Sequence, residues 1–157
     1  MSYLATTPIS WDRVVALTRG ASRDDCGAAV TFVGVVRADR RGGQVVKALF
    51  YEAYPGMAEP LIQRLVNEAM AQWTLGGVRV QHRLGLVDVG QISVAVVVAA
   101  QHRAQAYAAS RFLIEQIKHE VPIWKREQYD DGTSQWSPGT PERVEVAEPR
   151  GDGERTT

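Results

Sequence analysis

The apolar residues of this chain switch repeatedly between the three-to-four spacing of a helix and the alternation of a strand, and this switching leaves few folds open. Ile62, Leu65, Val66, Ala69, Met70 and Trp73 follow the turn Tyr54-Pro55-Gly56 at helical spacing and predict a long amphipathic helix. Val78, Val80, His82 and Leu84 alternate, and Ile92, Val94, Val96 and Val98 repeat that pattern after Asp88-Val89-Gly90, predicting two half-buried strands. Ala106, Ala109, Leu113 and Ile117 predict a second long helix from Ala104 to Glu120, which Pro122 must stop. Upstream, Ser10 is placed to cap a short helix from Trp11 to about Thr18, with Trp11, Val14, Val15 and Thr18 on one face. Ala28 to Arg37, rich in small, β-branched and aromatic residues, reads as a buried strand. Arg40-Arg41-Gly42-Gly43 is the turn after it, from which Val45 to Tyr51 pairs back as a hairpin. Hairpins interleaved with helices imply an α+β layer fold, an antiparallel or mixed sheet packed with two long helices, and not a doubly wound parallel sheet.

The length of 157 residues and 45% hydrophobic content fit one domain with a real core. That domain is expected to span residues 1–136. Residues 137–157, rich in Pro, Gly and charge, read as a flexible C-terminal tail with one short extended piece at Arg143 to Val146. No apolar run approaches the roughly 20 residues of a membrane span, and the first ten residues lack the pattern of a signal peptide, so a cytoplasmic protein is expected. A formal net charge of zero argues against a dedicated nucleic-acid binder. An RNA-binding α+β domain would also need aromatics interleaved with basic residues on its strands, and these strands are aliphatic. Three histidines and one cysteine without ligand-type spacing support no metal site, and no cofactor is expected. Cys26, beside Asp24 and Asp25, reads as a small inert residue near a strand start.

Against this neutral background some cations look placed. Lys118 falls on the last turn of the helix that Pro122 stops, and Lys125 follows two large apolar residues, Ile123 and Trp124, that should anchor the backbone and allow the lysine to be desolvated. Arg37 ends a strand, and His102-Arg103 open a helix. Each has a plainer reading. His102-Arg103 read equally well as a capping and solvated pair, Arg37 as a surface charge, Lys118 as a complement to the helix dipole, and Lys125 and Arg126 as exposed charges paired with Glu127. Taken together they suit a pocket for an anionic ligand. His102 and Lys118 are 16 positions apart, or about 24 Å along one helix, so a small ligand can meet both ends only if a second subunit completes the pocket.

The runs Val30-Thr31-Phe32-Val33-Gly34-Val35-Val36-Arg37, Tyr51-Glu52-Ala53-Tyr54-Pro55-Gly56-Met57, His82-Arg83-Leu84-Gly85, His102-Arg103 and Pro122-Ile123-Trp124-Lys125-Arg126-Glu127 resemble the large, catalytic subunit family of molybdopterin synthase. The resemblance runs from about Asp25 to Trp136. It implies a single α+β domain of alpha/beta hammerhead-like form and a sulfur transferase that converts cyclic pyranopterin monophosphate into molybdopterin, in molybdenum cofactor biosynthesis. It also implies partners: a small ubiquitin-like sulfur carrier with a C-terminal Gly-Gly thiocarboxylate, and a second copy of this chain, giving a heterotetramer. The terminus Glu154-Arg155-Thr156-Thr157 carries no Gly-Gly, so the sulfur is expected to come from a separate protein.

By the family's pattern Lys118 lies beside the entering thiocarboxylate and Lys125 handles protons as sulfur adds and the phosphate oxygen leaves. Arg37, His102 and Arg103 suit the phosphate and pterin. Phe32 and Arg126 join the substrate-binding set by their place in the matching runs, although Phe32 reads more simply as a core strand residue. The loop Asp39 to Gly43 reads as a solvated hairpin turn in preference to a lid. A noncatalytic module that holds a peptide tail or a nucleotide in the same groove is the competing reading.

Overall fold

The computed structural model describes residues 1–137, so the expected tail beyond Ser137, with its extended piece at Arg143 to Val146, lies outside the described residues. In chain order the elements are β1 (Leu4–Ala5), α1 (Trp11–Ala21), β2 (Ala28–Val35), β3 (Arg40–Arg41), β4 (Gln44–Ala53), α2 (Pro55–Gln72), β5 (Leu75–Arg83), β6 (Gly85–Asp88), β7 (Ile92–Ala100), α3 (Arg103–Glu120), β8 (Ile123–Tyr129) and β9 (Ser134–Trp136). They form a four-stranded sheet in the order β1-β5-β7-β2 and a five-stranded sheet in which β3-β4-β8-β9 are joined by β6 against β4. The first sheet is mixed, since β1 runs parallel to β5 while β7 is antiparallel to both β5 and β2. The expected α+β fold with two long helices is present.

The layers follow from β7. All nine of its residues are buried, because both faces of the sheet are covered. Val94, Val96, Val98 and Ala100 pack with Ile62, Leu65 and Ala69 of α2 and Ala106, Ala109, Leu113 and Ile117 of α3. The alternate residues Ala95, Val97 and Ala99 pack with Val14, Leu17 and Ala21 of α1. Side chains of a strand alternate between faces, so one strand serves two cores, and its apolar residues are continuous where a half-buried strand was expected. Gly77 admits α1, since a Cβ there would lie 2.3 Å from the Ala21 carbonyl oxygen.

Four expectations change. Helix α1 has its Ser10 cap, whose hydroxyl accepts from the Arg13 amide at 3.1 Å, but it runs to Ala21 and turns Val14 and Leu17 inward while Trp11 and Val15 stay exposed. Strand β2 is an edge strand with half-buried residues, because only β7 flanks it. The segment from Val45 to Tyr51 does not pair back on β2; it lies in β4, in the other sheet, against β3, β6 and β8. The hairpin at Arg40–Arg41 closes instead on Gln44 and Val45, with Gly42 and Gly43 at φ 56 and 86, the left-handed conformations a tight hairpin of this kind needs. Finally, β5 and β7 pair antiparallel as expected, but the connection between them is more than a turn: it carries β6, which pairs with β4 and splices the two sheets.

Candidate active site

Pro122 ends α3 and sends the chain straight into β8, which pairs with β4. The register sets Lys125 opposite Tyr51. Directly opposed residues of an antiparallel pair share a face, with Cβ atoms about 4.5–5.5 Å apart, so the Lys125 and Tyr51 side chains stand together. The Tyr51 ring meets the His82 ring edge-on at 5.0 Å between centroids. His82, at the end of β5, is buried, and its Nδ1 lies 2.9 Å from the Arg83 carbonyl oxygen. Burial above all, opposed by that backbone hydrogen bond and assisted by the positive charge of Lys118, holds the His82 pKa down to about 4. Lys118 on α3 thus acts electrostatically on His82 while Lys125 on β8 stands opposite Tyr51, and the two rings touch, so both lysines border one aromatic pair. Burial also raises the Tyr51 phenol above its ordinary value.

Both lysines are exposed in the single chain, so the desolvation expected for them is not provided by their own subunit. Arg37 follows β2 and is held beside the turn before β7 by the hydrogen bonds Val36 N–H to Gln91 O and Gly90 N–H to Val36 O. Its guanidinium is exposed and pairs with Asp39 at 2.9 Å. Phe32 is half-buried and packs against the α2–α3 core, as its simpler reading required. His102 and Arg103 are exposed at the other end of α3, where they line an open depression of about 480 Å³ with Gly27, Ala28, Gln101 and Ala104. His102 occupies the cap position but makes no side-chain capping bond. Lys118 and His102 therefore sit at opposite ends of one helix, and a single chain does not bring them together.

Arg126 is also separated from the lysines. It neighbours Lys125 in β8, so it points to the opposite face. There its guanidinium lies 5.2 Å from the Phe50 ring centroid and 5.4 Å from that of Trp136. Two participants were not singled out from sequence as site residues, Tyr51 and His82. Both stand inside the family-like runs, but the alternation of Val78, Val80, His82 and Leu84 made His82 look like one more core position. Among the described residues no group of three or more His, Cys, Asp or Glu could hold a metal ion, and no helix is long and apolar enough to cross a membrane.

A single mixed α+β domain with one lysine acting on a buried histidine and another opposite the tyrosine beside it defines the class: an α+β protein with a cationic edge at the end of α3 and on β8. Residues 4–120 match the family model described as MoaE protein, reaching further toward the N-terminus than the short motifs do and stopping before Trp136. The chain is 45% identical over 114 residues to the molybdopterin synthase catalytic subunit of Thermoplasma volcanium, covering 73% of this chain and 82% of that relative. It is 35% identical over 133 residues to that of Bacillus subtilis, covering 85% and 82%. The crystal structure of molybdopterin synthase from Staphylococcus aureus superposes with a TM-score of 0.79 at 32% identity, over 87% of this chain and 96% of that one. The chain belongs to the family of molybdopterin synthase catalytic subunits. It is accordingly an enzyme subunit, of the sulfurtransferase kind, in molybdenum cofactor biosynthesis.

Proposed function

We propose that this chain converts cyclic pyranopterin monophosphate to molybdopterin in the cytoplasm, taking sulfur from the C-terminal Gly-Gly thiocarboxylate of a separate small ubiquitin-like subunit. The observation that carries the reading is the convergence of Lys118 and Lys125 on the Tyr51–His82 pair. Both reactants are anions, and bringing them together requires fixed positive charge to offset their repulsion. Lys118 takes the thiocarboxylate, and Lys125 moves protons as the carbon–sulfur bond forms and the phosphate oxygen departs.

Arg37 of one copy and His102 and Arg103 of its neighbour hold the substrate's phosphate and pterin, since within one chain Arg37 lies at the Ile92 end of β7 and His102 beyond its Ala100 end, and Phe32 joins the same set. The separation of His102 from Lys118 along α3 supports a pocket built by two copies of this chain, and hence a heterotetramer with two small subunits. The exposure of both lysines in one chain fits that arrangement, since the partner's surface and the inserted tail then supply the burial that one subunit does not. A structure of subunits 1 and 2 of the molybdopterin-converting factor of Helicobacter pylori shares the fold, with a TM-score of 0.73 at 23% identity.

The test is an assay of the purified protein with cyclic pyranopterin monophosphate and a thiocarboxylated small subunit, following the fluorescent oxidised product. Product from the wild type and its loss in Lys118→Ala and Lys125→Ala are expected. Tight complex formation without product would leave a noncatalytic tail-binding module, and normal turnover by Lys125→Ala would remove its role in proton transfer.

A further inference from the structure

His82 is one of few buried polar residues in the described chain, and although the two lysines gather around it, the proposed reaction gives its imidazole no task of its own. Its chemistry is narrowly defined. A carbonyl oxygen only accepts, so the 2.9 Å contact with Arg83 O requires the proton on Nδ1, and Nε2 of the neutral ring is then an acceptor. Lysine ammonium groups only donate, and the other side chains proposed to meet the ligand are mainly cations. A neutral acceptor is therefore the complementary group for Lys118, whereas a second positive charge at the same place would repel it. One side of the imidazole is occupied by Tyr51, whose strand partner is Lys125.

We propose that His82 is a positioning residue for the lysine pair, its tautomer locked by the Arg83 carbonyl and its ring, with that of Tyr51, forming the surface across which Lys118 and Lys125 are held toward one ligand. The proposal rests on the reading of those lysines as the acting groups. It differs from a packing role in depending on the Nε2 edge of the ring, since a phenyl ring would fill the same space.

The test compares His82→Phe, His82→Asn and His82→Gln in the complex with the thiocarboxylated small subunit, with cyclic pyranopterin monophosphate as substrate. Asparagine can keep the donor to Arg83 O but does not reach the Nε2 position, whereas glutamine places an amide oxygen near it. The expected result is a kcat about a hundredfold lower in the Phe and Asn variants with KM within about threefold, and recovery of at least about tenfold in Gln. The ¹³C signal of dimethylated Lys118 should move in the folded Phe and Asn variants and return toward its wild-type position in Gln, a response that lost packing alone does not require.

A kcat within about twofold of wild type in a folded Phe or Asn variant, or a Lys118 signal unmoved in both, overturns the proposal. If Phe fails to fold, the Asn and Gln pair decides. If the wild type itself makes no product, the enzymatic reading fails by that result. The ¹³C signals of dimethylated Lys118 and Lys125 then decide for His82: movement of the Lys118 signal in the folded variants sustains its positioning role, and unmoved signals end it.

Discussion

The guanidinium of Arg41 meets the buried carboxylate of Glu127 at 3.0 Å, tying the β3–β4 hairpin to β8 across 86 positions of sequence. The second anchor of this carboxylate is the Tyr129 hydroxyl, which donates to it at 2.7 Å. The contact joins the turn from Asp39 to Gly43 to β8 and occupies the Glu127 carboxylate on the face it shares with Lys125, while Arg126 points to the other face. It carries an asymmetric prediction. Arg41 is more than half exposed, so Arg41→Ala removes a partly screened ion pair and should lower stability by about 1 kcal/mol, or roughly 2–4 °C in Tm. Glu127→Ala should lower Tm further, because it also strips the Tyr129 hydroxyl of its acceptor. Thermal melts of the two variants check this order, and equal Tm values would refute it.

Arg126 should prove to be a structural cation. Its place between Phe50 and Trp136 supplies two cation–π contacts, yet its Nε is buried without a hydrogen-bond partner among the described residues. These effects oppose one another. Arg126→Met, which keeps the length of the side chain, should change stability by less than about 1 kcal/mol and kcat by less than about twofold. Arg126→Ala should melt lower through lost packing on both rings. A kcat loss above about tenfold in a Met variant with wild-type Tm would return Arg126 to the substrate-binding set.

His82 gives the fold a pH dependence of definite sign. Its folded-state pKa of about 4 lies below the ordinary value of 6.5, so the unfolded chain binds a proton that the folded chain refuses between those limits. Stability is therefore complete above pH 6.5 and falls as the pH drops toward 4, by a total on the order of 3 kcal/mol from this group. Urea midpoints measured from pH 7 to pH 4 should decline more steeply for the wild type than for His82→Gln. Parallel declines would assign the acid sensitivity to other groups.

Long helices and the central strands could be read from the sequence because their spacing is a local property. The period of Ile62 to Ala69 marks the buried face of α2, and that of Ala106 to Ile117 marks α3. Register and sheet membership are not local. Nothing in Val45 to Tyr51 says that β4 leaves β2 for another sheet, and a four-residue strand such as β6 is too short to show a period. Trp11 and Val15 misled the reading of α1 for a related reason: over 11 residues two adjacent faces share the same apolar spacing, and the core selected Leu17 and Ala21. At the site, lysine positions followed from the proline stop and the family-like runs. His82 and Tyr51 required the three-dimensional register that sets one against the other.

The division of cations between the two ends of α3 leads to a mixing experiment. If each pocket takes Lys118 from one chain and His102 from its neighbour, Lys118→Ala and His102→Ala should each be inactive as pure dimers. In a mixed dimer one pocket contains both substitutions and the other contains neither. Random exchange makes about half of the dimers mixed, each with one intact pocket, so an equal mixture should regain about a quarter of wild-type activity. Neither variant alone should do so at any concentration. A mixture as inactive as its components, with subunit exchange verified by mass spectrometry, would place Lys118 and His102 in separate pockets. A fully active single chain would remove the need for a second copy altogether.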